Sequence, residues 1–177
     1  MRTTHDGLRA LVAALHAHGG TVTELARLGP VDGDRHPGPA QLAAAGPRAA
    51  YARDEYELLL EMILEGARLH YGPPRVVCTE DPDLALLVGD QLYALGLERL
   101  SALGDLEAVA ELADTISLVA QAHAAGDREL ADAVWEAGVL AVGWGADERL
   151  EQAKQLARAG DRRAVEALKQ ACRPPLS

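Results

Sequence analysis

Residues 56–74 read YELLLEMILEGARLHYGPP, and this stretch decides the fold class. Apolar side chains recur there at helical spacing along one wide face, and Gly72-Pro73-Pro74 ends the pattern abruptly. The spacing predicts a long helix from Arg48 to Tyr71. The residues on its apolar face are Tyr56, Leu59, Leu60, Ile63, Leu64, Ala67 and Tyr71.

The rest of the chain continues the helical pattern, because Ala and Leu dominate and β-branched residues never alternate as a strand requires. Thr21 and Glu24 have the spacing of a capping box, which predicts a short helix. Residues 31–39 are rich in Gly, Pro and Asp and predict a loop, while only residues 74–79 look extended. Further helices are expected near residues 6–18, 84–103, 106–125, 128–143, 147–159 and 162–171.

The joints between the later helices share one signature, seen at Gly104-Asp105, Gly126-Asp127 and Gly160-Asp161. Gly supplies the left-handed residue that ends one helix, and Asp caps the start of the next. Such tight joints favour antiparallel neighbours. We therefore predict an all-α antiparallel bundle of about seven helices in a single domain, residues 1–177. It comprises an N-terminal part (1–47), a central part (48–145) and a C-terminal hairpin (146–177).

Composition excludes several classes of function. The 177 residues carry 17 Lys plus Arg against 27 Asp plus Glu, a formal net charge of −10. An acidic chain is unsuited to wrapping nucleic acid or lying on an anionic membrane. No apolar run is long enough to span a bilayer, and the N-terminus lacks the apolar segment of a secretory signal. We expect a cytoplasmic protein in which Cys78 and Cys172 are reduced thiols, with one disulfide between them left open.

The connector before residue 84 holds the one tight acidic cluster, Glu80, Asp81 and Asp83. One interpretation is a magnesium site, because Mg²⁺ prefers carboxylate oxygens. The other, which we favour, is that Asp81 or Asp83 caps the helix that starts near Leu84, with Pro82 at its first position.

Other polar residues form no recognisable catalytic or metal-binding pattern. The six His residues are dispersed and lack the spacing of zinc or di-iron ligands, so exposed or capping roles are expected. Glu57, Glu61 and Glu65 recur every four residues and are interpreted as a solvated helix face. We assign no catalytic residue and no cofactor, apart from Mg²⁺ if the acidic cluster is a site. Trp135 and Trp144 lie in one apolar segment, where an interface anchor and a core position are equally favoured.

Two neighbouring segments carry a family resemblance. Residues 84–94 read LALLVGDQLYA and residues 97–105 read LERLSALGD. Together they resemble the Gly-Asp helix, and the segment after it, of the trans-isoprenyl (polyprenyl) diphosphate synthases. The helix of residues 56–71 sits where that family has its preceding helix, so the resemblance covers about residues 50–125. It implies a partial isoprenoid-synthase-like helical fold.

The departures from that family concern its chemistry. Members carry a DDxxD motif whose carboxylates hold magnesium, but here the corresponding residues are His70-Tyr71-Gly72-Pro73. The diphosphate-gripping Arg pair is reduced to Arg75, residues 131–139 contain no Lys, and a second Asp-rich motif is absent. The resemblance therefore implies a protein like the small non-catalytic subunit of heptaprenyl-type synthases. Such a subunit pairs with a catalytic prenyl synthase in isoprenoid biosynthesis and influences its stability or product chain length.

Within the resembling segment, Asp90 is either a remnant of a substrate cavity or, as we favour, a buried carboxylate bonded to a neighbouring helix. Three alternatives to the synthase subunit remain. They are a homodimeric helical module that binds a lipid-like ligand, a Mg²⁺-dependent enzyme using the acidic cluster, and a plain helical scaffold. The candidate interface or tunnel residues are Leu86, Leu87, Gly89, Asp90, Gln91, Tyr93, Trp135 and Trp144.

Overall fold

All regular elements are helical in the computed structural model, which describes residues 2–29 and 36–171. The all-α prediction is therefore confirmed. The α-helices of this described part are α1 (Thr4–His18), α2 (Thr21–Leu25), α3 (Pro39–Ala44), α4 (Arg53–Tyr71), α5 (Pro82–Ala102), α6 (Leu106–Ala124), α7 (Arg128–Trp144), α8 (Glu148–Arg158) and α9 (Ala164–Ala171). No helix of the described part is long and apolar enough to cross a bilayer.

The described part contains more helices than the seven or so expected, and the unexpected one is α3. Pro39 stands at its first turn, and the Gly38 N–H donates to Gln41 Oε1 at 2.9 Å. Residues 31–35 of the expected loop lie outside the described residues. The helix expected from Arg48 begins only at Arg53, because a turn of 3₁₀ helix forms first and Ala52 leaves the helical conformation.

The capping signatures were predicted with mixed success. The capping box at Thr21 is wrong, because Gly20 occupies the N-cap of α2 and offers no side chain. At the joints, by contrast, Gly104, Gly126 and Gly160 all have positive φ, between 64° and 77°. Asp105 and Asp127 then cap α6 and α7, as predicted. Each such cap is worth about 1 kcal/mol.

Among the described residues, the core consists of three adjoining apolar clusters. One lies among α1, α2, α5 and part of α4, a central one joins α3, α4, α6 and α7, and a third lies between α6, α7, α8 and α9. Trp135 packs against both the central and the third cluster, so its indole serves the core of this chain. Gly143 lets α7 touch α3, since a Cβ there would overlap the carbonyl group of Ala43.

A buried cation ties α8 to α6. The ammonium of Lys154 is 2% exposed and donates to both oxygens of Glu111 at 2.6 Å. Asp114 and Glu151 lie 3.3 and 3.5 Å from the same nitrogen. Burial lowers the pKa of Lys154, but the surrounding carboxylates outweigh it and the net shift is upward, so this lysine stays charged.

Candidate functional site

Helix α5 carries most of the residues predicted from the sequence, and its start is fixed by Asp81. The Asp81 carboxylate accepts from the N–H groups of Asp83 at 3.0 Å and Leu84 at 3.2 Å, with Pro82 in the first turn. The capping interpretation is therefore confirmed. Across residues 2–29 and 36–171 no group of three or more His, Cys, Asp or Glu is arranged to hold a metal ion.

The connector that leads into α5 is held by a buried carboxylate of α4. Glu65 Oε1 accepts the N–H groups of Arg75, Val76 and Val77 at 2.8, 2.7 and 3.0 Å. Two of these residues also pair with the chain after α2, in an isolated antiparallel bridge between Ala26 and Val77. This bridge lies within residues 74–79, the segment that the sequence suggested is extended. The carboxylate thus holds residues 75–77 of the connector against α4.

Glu65 belongs to a larger buried network that overturns the prediction of a solvated face. Glu57, Glu61 and Glu65 are all less than a twentieth exposed. Arg75 reaches Glu61 with Nη2 at 2.7 Å and Glu65 with Nε at 3.3 Å, so this guanidinium is occupied inside the chain. Gln41 Nε2 donates to Glu57 at 3.2 Å and to Glu61 at 2.9 Å. The prediction failed because these partners come from α3 and the connector.

Glu57, the first of these glutamates along the chain, is 4% exposed and has a shifted pKa. Burial raises the pKa of Glu57, although the amide of Gln41 and the charge of Arg2 act to lower it. The backbone of α1 can approach this network because position 7 is Gly, where a Cβ would collide with the Gln41 amide and the Glu61 carboxylate. The network is therefore a packing and hydrogen-bonding device that joins α1, α3, α4 and the connector.

Helices α4 and α5 cross closely at glycines. A Cβ on Gly66 would lie 2.9 Å from the carbonyl oxygen of Gly89, and one on Gly89 would lie 2.9 Å from His70 Nε2. Gly96 allows a further close approach, to Ile63. Gly89, one of the predicted interface residues, is thus used inside the chain, and α5 is held rigidly along α4.

Asp90 differs from its prediction. Its side chain is 71% exposed, because Gly89 takes the position facing α4 and the next residue turns outward. The expected neighbouring-helix partner does exist, since Asp90 Oδ1 lies 3.0 Å from His70 Nε2 on α4. The distance suits an ion pair, yet within the described chain His70 Nε2 makes no hydrogen bond of good geometry.

Aromatic rings surround this His–Asp contact. Tyr93 stacks on His70 with centroids 5.4 Å apart, and Tyr71 stacks on His123 of α6 at 4.1 Å. Burial raises the pKa of the Tyr93 hydroxyl, so it stays protonated. Sequence reasoning missed His70, Tyr71 and His123 as members of one cluster. Their positions at the ends of two predicted helices were the available clue.

The outer surface of α5 carries two adjacent exposed leucines, Leu86 at 45% and Leu87 at 66%. Gln91 is half-buried beside them. The exposed charged residues along this helix are Asp83, Asp90 and Glu98. We call this surface, with its leucines and acidic neighbours, the α5 face.

The remaining predicted residues lie elsewhere. Trp144, at the end of α7, is 43% exposed and its Nε1 donates to the carbonyl oxygen of Leu42 at 3.0 Å. Trp135 is in the core, as described above. Cys78 is an exposed free thiol, and Cys172 lies outside the described residues.

A cavity of about 590 Å³ opens between α6, α7, α8 and α9. Its apolar floor includes Leu118 and Leu130, and its rim carries the ion pair between Glu129 and Lys169 at 2.8 Å. None of the candidate interface, tunnel or metal residues predicted from the sequence lines it.

The chain matches no protein-family model, no curated protein and no solved structure. The resemblance to prenyl synthases therefore stays a prediction.

Proposed function

We propose that this protein is a non-catalytic helical binding module that docks on a partner protein through the α5 face. The observation that carries the proposal is the pair of adjacent exposed leucines, Leu86 and Leu87, on a helix whose other side packs against α4. Burying one such side chain contributes about 1.5–3 kcal/mol to an association.

The charges of the α5 face indicate the chemistry of the partner. Its exposed charged residues, Asp83, Asp90 and Glu98, are all acidic. Arg99 is half-buried and its guanidinium pairs with Glu55 of α4 at 2.5 Å. If two copies of this chain met through the α5 face, the acidic residues of one copy would face the acidic residues of the other. The complementary partner is an amphipathic helix whose apolar residues are flanked by Lys or Arg.

The fold presents this surface in a rigid form. Asp81 caps the start of α5, Glu65 anchors the connector before it, and Gly89 holds it against α4. A helix fixed in this way loses little conformational entropy on binding, so more of the contact energy appears as affinity.

The first partner to test is a catalytic prenyl diphosphate synthase subunit, because the resembling segment, residues 84–105, includes the α5 face. In that case this protein would act geometrically, by stabilising the synthase or shaping the wall along which the product grows. It would contribute no metal ligand of its own.

The experiment compares two variants that replace an exposed leucine by glutamate. Leu87→Glu lies on the α5 face, and Leu106→Glu, at a leucine exposed to 68% at the start of α6, is its matched control. The probe is a fluorescent helical peptide with a leucine stripe flanked by lysines, and a scrambled peptide of equal composition reports charge attraction alone. We expect the Leu87→Glu change to weaken peptide binding at least tenfold, which is 1.4 kcal/mol, and the control to leave it unchanged.

Equal binding of the ordered and scrambled peptides, or equal loss in both variants, would remove the proposal. The synthase arm uses the tagged full chain in its native lysate. Recovery of a catalytic prenyl synthase that is lost with Leu87→Glu and retained with Leu106→Glu would support that partner. Its recovery with both variants would contradict a role for the α5 face.

A further inference from the structure

Asp90, one of the acidic residues of the α5 face, lies beside an imidazole of α4. His70 Nε2 is 3.0 Å from Asp90 Oδ1, which is the distance of an ion pair. The His70 side chain is 17% exposed and that of Asp90 is 71% exposed, so the carboxylate has an inner imidazole and an outer side open to solvent. No hydrogen bond of good geometry reaches His70 Nε2 within the described chain, so this nitrogen is available to take up a proton.

The neighbours of His70 hold its ring in this position. The ring stacks on that of Tyr93 with centroids 5.4 Å apart and an angle of 6° between the planes, and it lies 5.6 Å from the ring of Tyr71. The backbone of α5 is close as well, because a Cβ on Gly89 would lie 2.9 Å from His70 Nε2. The imidazole cannot swing away from Asp90 without breaking these contacts, so any charge it gains acts on this carboxylate.

The charge beside Asp90 depends on pH, because histidine is the side chain that gains a proton between about pH 8 and pH 5. The titratable groups around His70 come from three helices: Asp90 and Tyr93 of α5, Tyr71 of α4 itself, and His123 of α6, which stacks on Tyr71. Phenols lose their proton only at about pH 10. The carboxylate and the two imidazoles are therefore the groups that carry charge here between about pH 5 and pH 8.

We propose that His70 makes docking on the α5 face dependent on pH, an inference that rests on the docking role proposed above. With His70 neutral, Asp90 carries an uncompensated negative charge that attracts a basic side chain of the partner helix. With His70 protonated, the imidazolium cancels this charge, and a basic side chain that approaches Asp90 meets a second cation 3.0 Å from the carboxylate. Docking is therefore tighter at about pH 8 than at about pH 5.5.

The test measures the affinity of the lysine-flanked helical peptide for the full chain at about pH 8 and about pH 5.5, at constant ionic strength. Lysine side chains stay charged across this range, so the peptide does not change. We expect the wild-type protein to bind about threefold more weakly at the lower pH, since an exposed ion pair changes an equilibrium constant by about twofold to fivefold.

Two variants and a matched control assign this response to the pair. His70→Gln should bind at both pH values about as tightly as the wild type does at the higher pH. Asp90→Asn should bind at both about as weakly as the wild type does at the lower pH, and it replaces an exposed side chain, so it keeps the test decisive if His70→Gln does not fold. His123→Gln removes the neighbouring imidazole and should keep the wild-type response.

A second measurement needs no peptide. Urea unfolding of the wild type, the His70→Gln and Asp90→Asn variants and the double variant gives the coupling between the two side chains. The coupling should appear at about pH 5.5, where the imidazole is charged, and vanish at about pH 8. Equal coupling at the two pH values would overturn the inference.

The peptide assay separates this inference from the docking role. Binding that is weakened by Leu87→Glu but unchanged by pH would overturn the inference and leave the docking role in place. A pH response that survives both His70→Gln and Asp90→Asn, or one that His123→Gln abolishes, would also overturn the inference. Absence of peptide binding at both pH values would remove the docking role and the inference together.

Discussion

Removal of the Glu65 carboxylate is the most demanding test of how the connector is held. Glu65→Ala would leave the buried N–H groups of Val76 and Val77 and the partly buried N–H of Arg75 without their acceptor. It would also take one carboxylate from the Arg75 guanidinium. Removing one partner of a buried ion pair costs about 3–5 kcal/mol. The whole free energy of unfolding of a domain is only about 5–15 kcal/mol, so the loss should be large.

The assay is urea unfolding followed by circular dichroism, with Tm from a thermal scan. We expect a loss of about 4 kcal/mol and a fall in Tm of about 10 °C. Glu65→Gln keeps a neutral acceptor and should lose less, about 1–2 kcal/mol. Glu98→Ala, at an exposed glutamate, is the control and should change stability by less than about 0.5 kcal/mol. A Glu65→Ala protein as stable as the control would refute the reasoning.

Two further predictions concern a helix cap and a helix crossing. Burial raises the pKa of Asp105, but the Tyr56 hydrogen bond and other partners outweigh it and lower the pKa below 3.8. Its stabilisation is therefore fully present above pH 3.8, the ordinary Asp value, and is lost as the pH falls through the lower pKa of the folded state. In urea unfolding Asp105→Asn should cost about 1–3 kcal/mol near pH 7, and this cost should shrink as the pH falls below 3.8; a cost that does not change with pH would contradict this. Gly143→Ala should cost about 2 kcal/mol because its Cβ overlaps Ala43. Gly72→Ala is the control and should leave the free energy of unfolding unchanged, because its Cβ meets nothing within 4 Å. Equal unfolding midpoints for the two variants would contradict the close contact between α7 and α3 at Gly143.

The parts of the fold that the sequence predicted are those decided by neighbouring residues. The joints at Gly104-Asp105 and Gly126-Asp127 require one left-handed residue and one capping carboxylate, and both requirements are met within a few residues. Helix α3 was not expected, because its six residues are too few to show an apolar period.

The candidate site was harder to predict because its contacts join distant segments. A spacing of four residues places Glu57, Glu61 and Glu65 on one side of the helix, and that side can be either solvent-exposed or buried. Gln41 and Arg75, which bond these carboxylates, lie 16 and 10 positions from the nearest glutamates that they contact across the fold. Gly89 indicated that α5 lies close to another helix, and this is correct. Asp90 is the next residue, and since neighbouring residues of a helix point in different directions, its carboxylate faces solvent.

Glu65 Oε1, which accepts three N–H groups of the connector, also affects how quickly this segment opens to solvent. Backbone protons in a segment outside any helix normally exchange with solvent quickly, since little structure must open to release them. Here the N–H groups of Arg75, Val76 and Val77 all end on Glu65 Oε1, from the middle of α4. Deuterium should therefore enter these three positions as slowly as it enters α4 itself. The irregular bend and the long helix would open together as one cooperative unit.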